Sequence, residues 1–166
     1  GNDNFLYTRS SLTTNWVLVP NSGPAIAAVQ ISDNTYLGIK TDYLLCTRAT
    51  LTSNWIVIPT ADLFISMRQL KDNTYIGIGN DNLLYTRSSL TTNWVLVPNS
   101  GPAIAAIQLS DNTYLGIKTD YLLYTRATLT SNWVVVPSVD LFISMRQLKD
   151  NTYIGVGTDR GRATIT

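Results

Sequence analysis

Residues 5–16 of the chain read FLYTRSSLTTNW, and the same pattern returns at residues 44–55, 83–94 and 122–133. Each copy begins with Phe or Leu, continues as L-x-T-R-x-x-L-T-x-N-W and ends in a tryptophan. The four tryptophans stand at a constant spacing of 39 residues and are Trp16, Trp55, Trp94 and Trp133. A fixed period of this length is typical of repeat architectures, so the repeat is interpreted before any single residue.

Working outward from the motif divides the chain into four units, residues 1–39, 40–78, 79–117 and 118–156, followed by a tail at 157–166. Units one and three are near copies, as are units two and four. Residues 1–78 differ from residues 79–156 at only nine positions, the first of which is Phe5 against Leu83. The sequence therefore predicts a single domain of two alternating unit types, and the tail could add an edge strand or fray.

Each unit contains four short apolar or alternating segments separated by turn residues, a pattern that predicts strands. In the first unit they fall at about residues 5–9, 16–19, 26–31 and 36–40. Between the last two stands Asp33-Asn34-Thr35, which predicts a hairpin because Asn and Asp tolerate the left-handed conformation and bond their own backbone. All 11 acidic residues are Asp and none is Glu, which removes a strong helix former. We expect an all-β protein.

A four-stranded sheet of 39 residues cannot bury its apolar faces alone, so each unit must pack against its neighbours. The β-propeller does this with four-stranded blades of about 40 residues arranged around an axis. A β-trefoil would need three units, and a parallel solenoid usually has shorter repeats. The predicted fold is a β-propeller built from four 39-residue, four-stranded units.

The most apolar strand of each unit, at residues 26–31, 64–70, 104–109 and 142–148, is predicted to lie innermost. The chain would then begin in the middle of a blade, and its first two strands would finish a sheet begun by its last two. We favour closure within one chain; the alternative is closure between two chains, a homodimer with eight blades. Gln30, Gln69, Gln108 and Gln147 follow the inner strand and are expected to satisfy backbone groups there.

Composition excludes several function classes. Twelve basic residues against 11 acidic ones give a net charge of +1, without the basic patch typical of nucleic-acid binders. No apolar run approaches the roughly 20 residues of a membrane-spanning helix, so no membrane insertion is expected. The first residues, GNDNFLYT, lack the features of a signal peptide. We expect a soluble protein, either cytosolic or secreted after processing.

Catalysis is not expected either. The chain has no histidine, no glutamate and one cysteine, so the common general bases, nucleophile pairs and metal-ligand sets are missing. We predict no enzyme activity, no metal and no cofactor. Cys46 stands where the other units carry Tyr7, Tyr85 and Tyr124, which indicates a substituted packing residue; a reactive thiol is the alternative.

The order of an aromatic-x-Arg strand, a short loop, N-W-hydrophobic-x-hydrophobic-P, an apolar strand and a glycine-bearing strand resembles the tectonin and tachylectin group of propeller lectins. The resemblance covers residues 1–156. It implies a β-propeller that binds glycans or glycoproteins through repeated sites.

A candidate sugar site therefore recurs four times. An exposed indole could stack on the apolar face of a sugar while neighbouring Asn and Asp side chains bond its hydroxyls. The residues are Trp16, Trp55, Trp94 and Trp133, with Asn15, Asn54, Asn93 and Asn132, and Asp33, Asp72, Asp111 and Asp150. The alternative, which we favour for the tryptophans themselves, is a purely structural role in packing.

A second repeated set joins a strand arginine with an acidic residue from a nearby turn. It comprises Arg9, Arg48, Arg87 and Arg126, with Asp3, Asp42, Asp81 and Asp120 as expected partners. Internal bracing is the favoured interpretation, and lining of clefts between blades is the alternative. The first functional hypothesis is a multivalent lectin with weak repeated sites. The second is a non-catalytic interaction or assembly scaffold, natural or designed, without a small-molecule ligand.

Overall fold

A computed structural model of the chain describes residues 3–59, 63–137 and 140–158. Within these ranges the chain forms sixteen β-strands, which confirms the all-β prediction. The described ranges contain no helix that is long and apolar enough to cross a membrane. The predicted tail falls outside the described residues from position 159 onward.

The strands follow one another in the order that the repeat predicts, with short strands at the Trp segments and longer ones at the apolar segments. In the first half they are β1 (Tyr7–Thr8), β2 (Val17–Leu18), β3 (Ala25–Gln30), β4 (Tyr36–Lys40), β5 (Leu45–Arg48), β6 (Ile56–Val57), β7 (Phe64–Gln69) and β8 (Tyr75–Gly79). In the second half they are β9 (Leu84–Arg87), β10 (Val95–Leu96), β11 (Ala103–Gln108), β12 (Tyr114–Lys118), β13 (Leu123–Arg126), β14 (Val134–Val135), β15 (Phe142–Gln147) and β16 (Tyr153–Gly157).

Neighbouring strands pair antiparallel in chain order and form three four-stranded sheets, β3–β6, β7–β10 and β11–β14. Two further sheets, β1–β2 and β15–β16, contain two strands each. Every four-stranded sheet thus combines the last two strands of one repeat with the first two of the next. This staggered arrangement confirms the prediction that the chain begins in the middle of a blade.

The repeated Asp-Asn-Thr segments form the hairpins β3–β4, β7–β8, β11–β12 and β15–β16. In the first, the backbone N–H and the hydroxyl of Thr35 both donate to Asp33 Oδ1, at 2.9 and 2.6 Å. Asn34 has a φ of 65°, and its counterparts in the other hairpins have 66°, 68° and 66°. Asn tolerates this left-handed conformation better than other residues with side chains, which explains why it recurs at the position.

The hydrophobic core lies between successive sheets. Leu37, Ile39 and Leu45 of the first four-stranded sheet pack with Phe64 and Met67 of the next, and similar clusters follow at the next two boundaries. The inner strand β11 contacts the inner strands β7 and β15 on either side of it. The four-stranded sheets therefore bury apolar faces against their neighbours, as the repeat argument requires.

Hydrogen bonds from glutamine side chains fasten neighbouring inner strands. The N–H groups of Ser32, Lys71 and Ser110 donate to the Oε1 atoms of Gln69, Gln108 and Gln147, at 2.8, 3.1 and 2.8 Å. Each bond crosses from one sheet to the next. The expectation that the repeated glutamines satisfy backbone groups beside the inner strand is confirmed for Gln69, Gln108 and Gln147; for Gln30 it stays a prediction.

The preferred prediction that the ring closes within one chain is wrong. β1 pairs with β2 and β16 with β15, but in the described chain β1 and β16 do not pair with each other. Phe64 and Met67 fill the boundary between the first two four-stranded sheets, and four strand quartets packed in this way span only part of a circle. The molecule is an arc of a propeller with a two-stranded sheet at each end.

Candidate functional site

The strand arginine and the tryptophan of each repeat form one stacked pair. The guanidinium carbon lies 4.4 Å from the ring centroid in Arg9–Trp16, 4.7 Å in Arg48–Trp55, 4.5 Å in Arg87–Trp94 and 4.4 Å in Arg126–Trp133. These distances are within the range of a cation–π interaction. The arginine therefore covers one face of the indole that the lectin hypothesis assigns to a sugar.

The stacked arginines of the four-stranded sheets are buried. Arg48 Nε donates to Thr50 O at 3.0 Å, and Arg48 Nη1 donates to Asn21 O in the preceding repeat at 3.3 Å. Burial lowers the pKa of Arg126 to about 10. The geometry is that of an internal brace, in which a planar donor group satisfies loop carbonyls while its face rests on an indole.

The tryptophans of the four-stranded sheets pack over a glycine in the second strand of their own sheet. A Cβ added at Gly38 would lie 2.8 Å from Cη2 of Trp55, and one at Gly116 would lie 2.7 Å from Cη2 of Trp133. The indole N–H groups of Trp55 and Trp133 donate to backbone carbonyls at 3.1 and 3.2 Å. These indoles are half-buried, whereas Trp16 is 59% exposed because its two-stranded sheet lacks the inner strands.

The other members of the predicted sugar sites lie at the surface. Asn15, Asn54, Asn93 and Asn132 are exposed. Asp33, Asp72, Asp111 and Asp150 are the hairpin residues whose Oδ1 atoms accept from the following Thr. These hydrogen bonds lower the pKa of each of the four carboxyls. No hydrogen bond within the described ranges joins the Asn and Asp side chains of a predicted site to each other.

The predicted pairing of arginines with the second acidic set is wrong. The carboxylates accept hydrogen bonds from tyrosine hydroxyls instead, at 2.5 Å in Tyr7–Asp3, 2.6 Å in Tyr85–Asp81 and 2.7 Å in Tyr124–Asp120. In the unit where Cys46 replaces the tyrosine, Asp42 Oδ1 accepts a hydrogen bond from the backbone N–H of Leu44. Asp42 Oδ2 lies 3.9 Å from Lys40 Nζ. The reason is topological: Asp42 follows β4 in the turn to β5, and Arg48 ends β5 at the opposite end of the hairpin.

Cys46 is fully buried against Gly38, whose added Cβ would lie 3.1 Å from the sulfur. Burial raises the pKa of the Cys46 thiol to about 11. A protonated, inaccessible thiol is a poor nucleophile, so the geometry supports the packing role.

The structure brings together two arginines that the sequence interpretation did not treat as a site. Arg68 on β7 and Arg146 on β15 line the same cleft, of about 370 Å³, at the inner edge of the arc. Gln69, Lys71 and Gln108 complete its rim. Burial and the charge of Arg146 lower the pKa of Arg68. No carboxylate of the described residues lies within ion-pair distance of either arginine, so their positive charge is uncompensated.

A second, smaller cavity of about 170 Å³ shares these two arginines with the cleft. Ala28, Val29, Ile65 and Met67 line it together with the same two arginines. The alignment of repeats contained a signal for this site, because Arg68 occupies the position of the apolar Val29 in the inner strand of the first unit. A charge at an inner-strand position costs desolvation, which is a reason to suspect a ligand there.

In the described ranges, no three His, Cys, Asp or Glu side chains lie close enough together to hold a metal ion.

No protein-family model and no curated protein sequence matches this chain. Solved structures, in contrast, match its fold. A structure of YCF48 bound to D1 peptide superposes with a TM-score of 0.69 at 16% sequence identity, covering 94% of this chain and 56% of that one. YCF48 from Cyanidioschyzon merolae superposes with a TM-score of 0.68 at 10% identity, covering 95% of this chain and 62% of that one.

These likenesses establish the fold: the chain is all-β, and its repeated four-stranded sheets resemble part of the YCF48 β-propeller. The chain spans less than two thirds of either YCF48 chain, in agreement with an open arc. The β-propeller part of the tectonin resemblance is thus confirmed, while no lectin family is matched.

Proposed function

We propose that this arc of a β-propeller is a non-catalytic binding scaffold that holds an extended, negatively charged segment of a partner protein at its inner edge. The observation that carries the proposal is the cleft shared by Arg68 and Arg146. The fold neighbour YCF48 is described as bound to a peptide, which makes a peptide ligand a reasonable choice for this architecture. Enzyme activity is not part of the proposal.

The electrostatics of the cleft favour an anion. The guanidinium groups of Arg68 and Arg146 line the same space, and Arg68 is half-buried. Each positive charge therefore makes the charged form of the other less favourable. A carboxylate placed between them would relieve that repulsion and accept charge-assisted hydrogen bonds, which are stronger than neutral ones. The site therefore stabilises a carboxylate side chain or a chain-terminal carboxylate.

The shape of the cleft favours an extended chain. Small side chains such as Ala27 and Ala28 line the smaller cavity that shares the two arginines, so a backbone can approach the inner strand β3 closely there. The Oε1 atoms of Gln69, Gln108 and Gln147 already accept backbone N–H groups. Lys71 Nζ also donates within the protein, to Ser110 O at 2.7 Å and to Asn112 Oδ1 at 3.2 Å. The side chains that remain to select a ligand are therefore the two arginines.

Glycan binding remains a separate hypothesis with weaker support. One face of each indole carries a guanidinium, and three of the four indoles are half-buried. A broad glycan array, probed with the wild-type chain and with Trp16→Ala, tests it directly. Binding that disappears in the variant would favour a lectin, and the absence of signal would remove that hypothesis.

The test of the scaffold proposal is binding of a fluorescently labelled decapeptide of alternating Glu and Gly, measured by anisotropy. The comparison peptide has Gln in place of every Glu. Arg68→Gln and Arg146→Gln are each expected to weaken binding of the acidic peptide by about tenfold, the effect of losing one charge-assisted hydrogen bond. Binding should also weaken with added salt.

Lys118→Gln is the matched control, because it removes the same charge from the opposite end of the inner hairpin, where Lys118 pairs with Ala103. It should bind the acidic peptide as the wild type does. Equal binding of the Glu and Gln peptides, or equal losses in the Arg68→Gln and Lys118→Gln variants, would contradict the proposed site.

A further inference from the structure

The two end sheets of the described chain are the two halves of one four-stranded blade. β1 and β2 correspond to the outer strands of the other sheets, and β15 and β16 correspond to the inner strands. Neither half has its complement within the described residues. We infer that a second copy of this chain supplies the complement, with β16 of one copy pairing antiparallel with β1 of the other at both junctions of a two-chain ring.

The exposed side chains of each end sheet show that it lacks a packing partner. Tyr153 and Ile154 of β16 are 52% and 58% exposed, whereas their counterparts Tyr75 and Ile76 on β8 are 6% and 2% exposed. The other half-sheet exposes an open apolar groove lined by Phe5, Leu6, Tyr7 and Trp16. In the four-stranded sheets the equivalents of these two apolar surfaces are buried against each other. Because both are exposed on the two end sheets, they mark an association site.

The contact between tryptophan and glycine is also divided between the two end sheets. In the four-stranded sheets the indole lies over a second-strand glycine, as Trp133 lies over Gly116. Trp16 has no such glycine in its own two-stranded sheet, and Gly155 on β16 has Phe142 but no tryptophan close to it. Pairing of the two halves places Gly155 beneath Trp16 and restores the repeated contact.

The four-stranded sheets supply the register of the new junction. β8 pairs with β9 through Tyr75↔Arg87, Ile76↔Thr86, Gly77↔Tyr85 and Ile78↔Leu84. Transfer of that register predicts Tyr153↔Arg9, Ile154↔Thr8, Gly155↔Tyr7 and Val156↔Leu6 between the two copies. An unpaired strand edge readily accepts a strand of this kind.

The extent of the arc favours two copies over closure within one. The chain superposes on 56% of a YCF48 chain with 94% of its own length, so its curvature is that of a ring nearly twice as long. A second copy more than fills the remaining part, so a ring of two copies is larger than the YCF48 ring. The resulting ring has eight blades, and Arg68 and Arg146 of both copies line one central channel.

The experiment that tests the inference is disulfide trapping combined with the mass in solution. The variant Ile154→Cys plus Thr8→Cys places thiols on facing residues of the predicted register, within bonding reach for a directly opposed pair. After mild oxidation we expect a covalent dimer of about 37 kDa on a non-reducing gel, twice the 18.3 kDa of one chain. Equal mixing of the two single variants should give the crosslinked heterodimer.

Three controls keep the outcome decisive. Each single-cysteine variant alone should stay uncrosslinked, because Cys46 is buried. The out-of-register variant Ile154→Cys plus Tyr7→Cys should crosslink far less. Sedimentation of the wild-type chain should give the mass of a dimer. A monomer, a trimer or longer assembly, or a disulfide formed within one chain would overturn the inference; failure of acidic-peptide binding would leave it untouched.

Discussion

Replacing Gly116 with alanine tests the packing of the tryptophans. A Cβ at this position would lie 2.7, 3.0 and 3.2 Å from three atoms of the Trp133 indole, whereas carbon atoms in good contact are about 3.5–4.0 Å apart. The backbone cannot move away easily, because β12 is hydrogen-bonded to β11 on one side and β13 on the other. The indole is held in turn by Arg126 and by the carbonyl of Ser100.

Overpacking of this kind costs about 1–3 kcal/mol of the free energy of unfolding. For a domain of this size, about 2 kcal/mol corresponds to a Tm lower by about 4–8 °C. Urea unfolding followed by circular dichroism and a thermal scan would measure both quantities. Thr119→Ala is the control: Thr119 is exposed in the turn after β12, so the cost should stay within about 0.5 kcal/mol.

A double-mutant cycle identifies the cause of the loss. The three close atoms, Cη2, Cζ3 and Cζ2, lie at the far end of the Trp133 indole, which the smaller phenylalanine side chain does not reach. Gly116→Ala should therefore cost less than half as much in a Trp133→Phe background as in the wild type. An equal cost in both backgrounds would show that the glycine is required for another reason and would refute the proposed packing.

Three further predictions concern single side chains. Cys46 should not react with Ellman's reagent at about pH 8 in the native protein and should react fully in denaturant, because burial raises the pKa of its thiol to about 11. Cys46→Tyr should raise the free energy of unfolding by about 1 kcal/mol, since the new hydroxyl can donate to Asp42 as Tyr124 donates to Asp120; a fall in Tm would show that β5 lacks room for the ring. Hydrogen bonds from Thr113 hold the pKa of Asp111 below its ordinary 3.8, so this carboxylate stabilises the fold above about pH 4 and the stability is lost as the pH falls through the lowered pKa. Thermal scans at decreasing pH should show a smaller acid-induced fall in Tm for Asp111→Asn than for the wild type, and identical falls would contradict this assignment.

The candidate site illustrates which features a local pattern can predict. The Asp-Asn-Thr turns and the glutamine bonds follow from residues close in sequence or equivalent in successive repeats, and both were predicted correctly. The partner of the second acidic set was not, because Asp42 and Arg48 are six residues apart yet lie at opposite ends of a hairpin. The cleft was missed because Arg68 and Arg146 are 78 residues apart and meet only when the inner strands converge.

The sequence by itself determined the repeat, the strand positions and the staggered start of the first blade. These depend on the alternation of apolar residues and on turn chemistry, which act over a few residues. Only the tertiary structure decided that the four quartets form an arc, and that two arginines share its inner edge. The angle between sheets arises from many side-chain contacts across each boundary, so it is a property of the packed core that no single motif encodes.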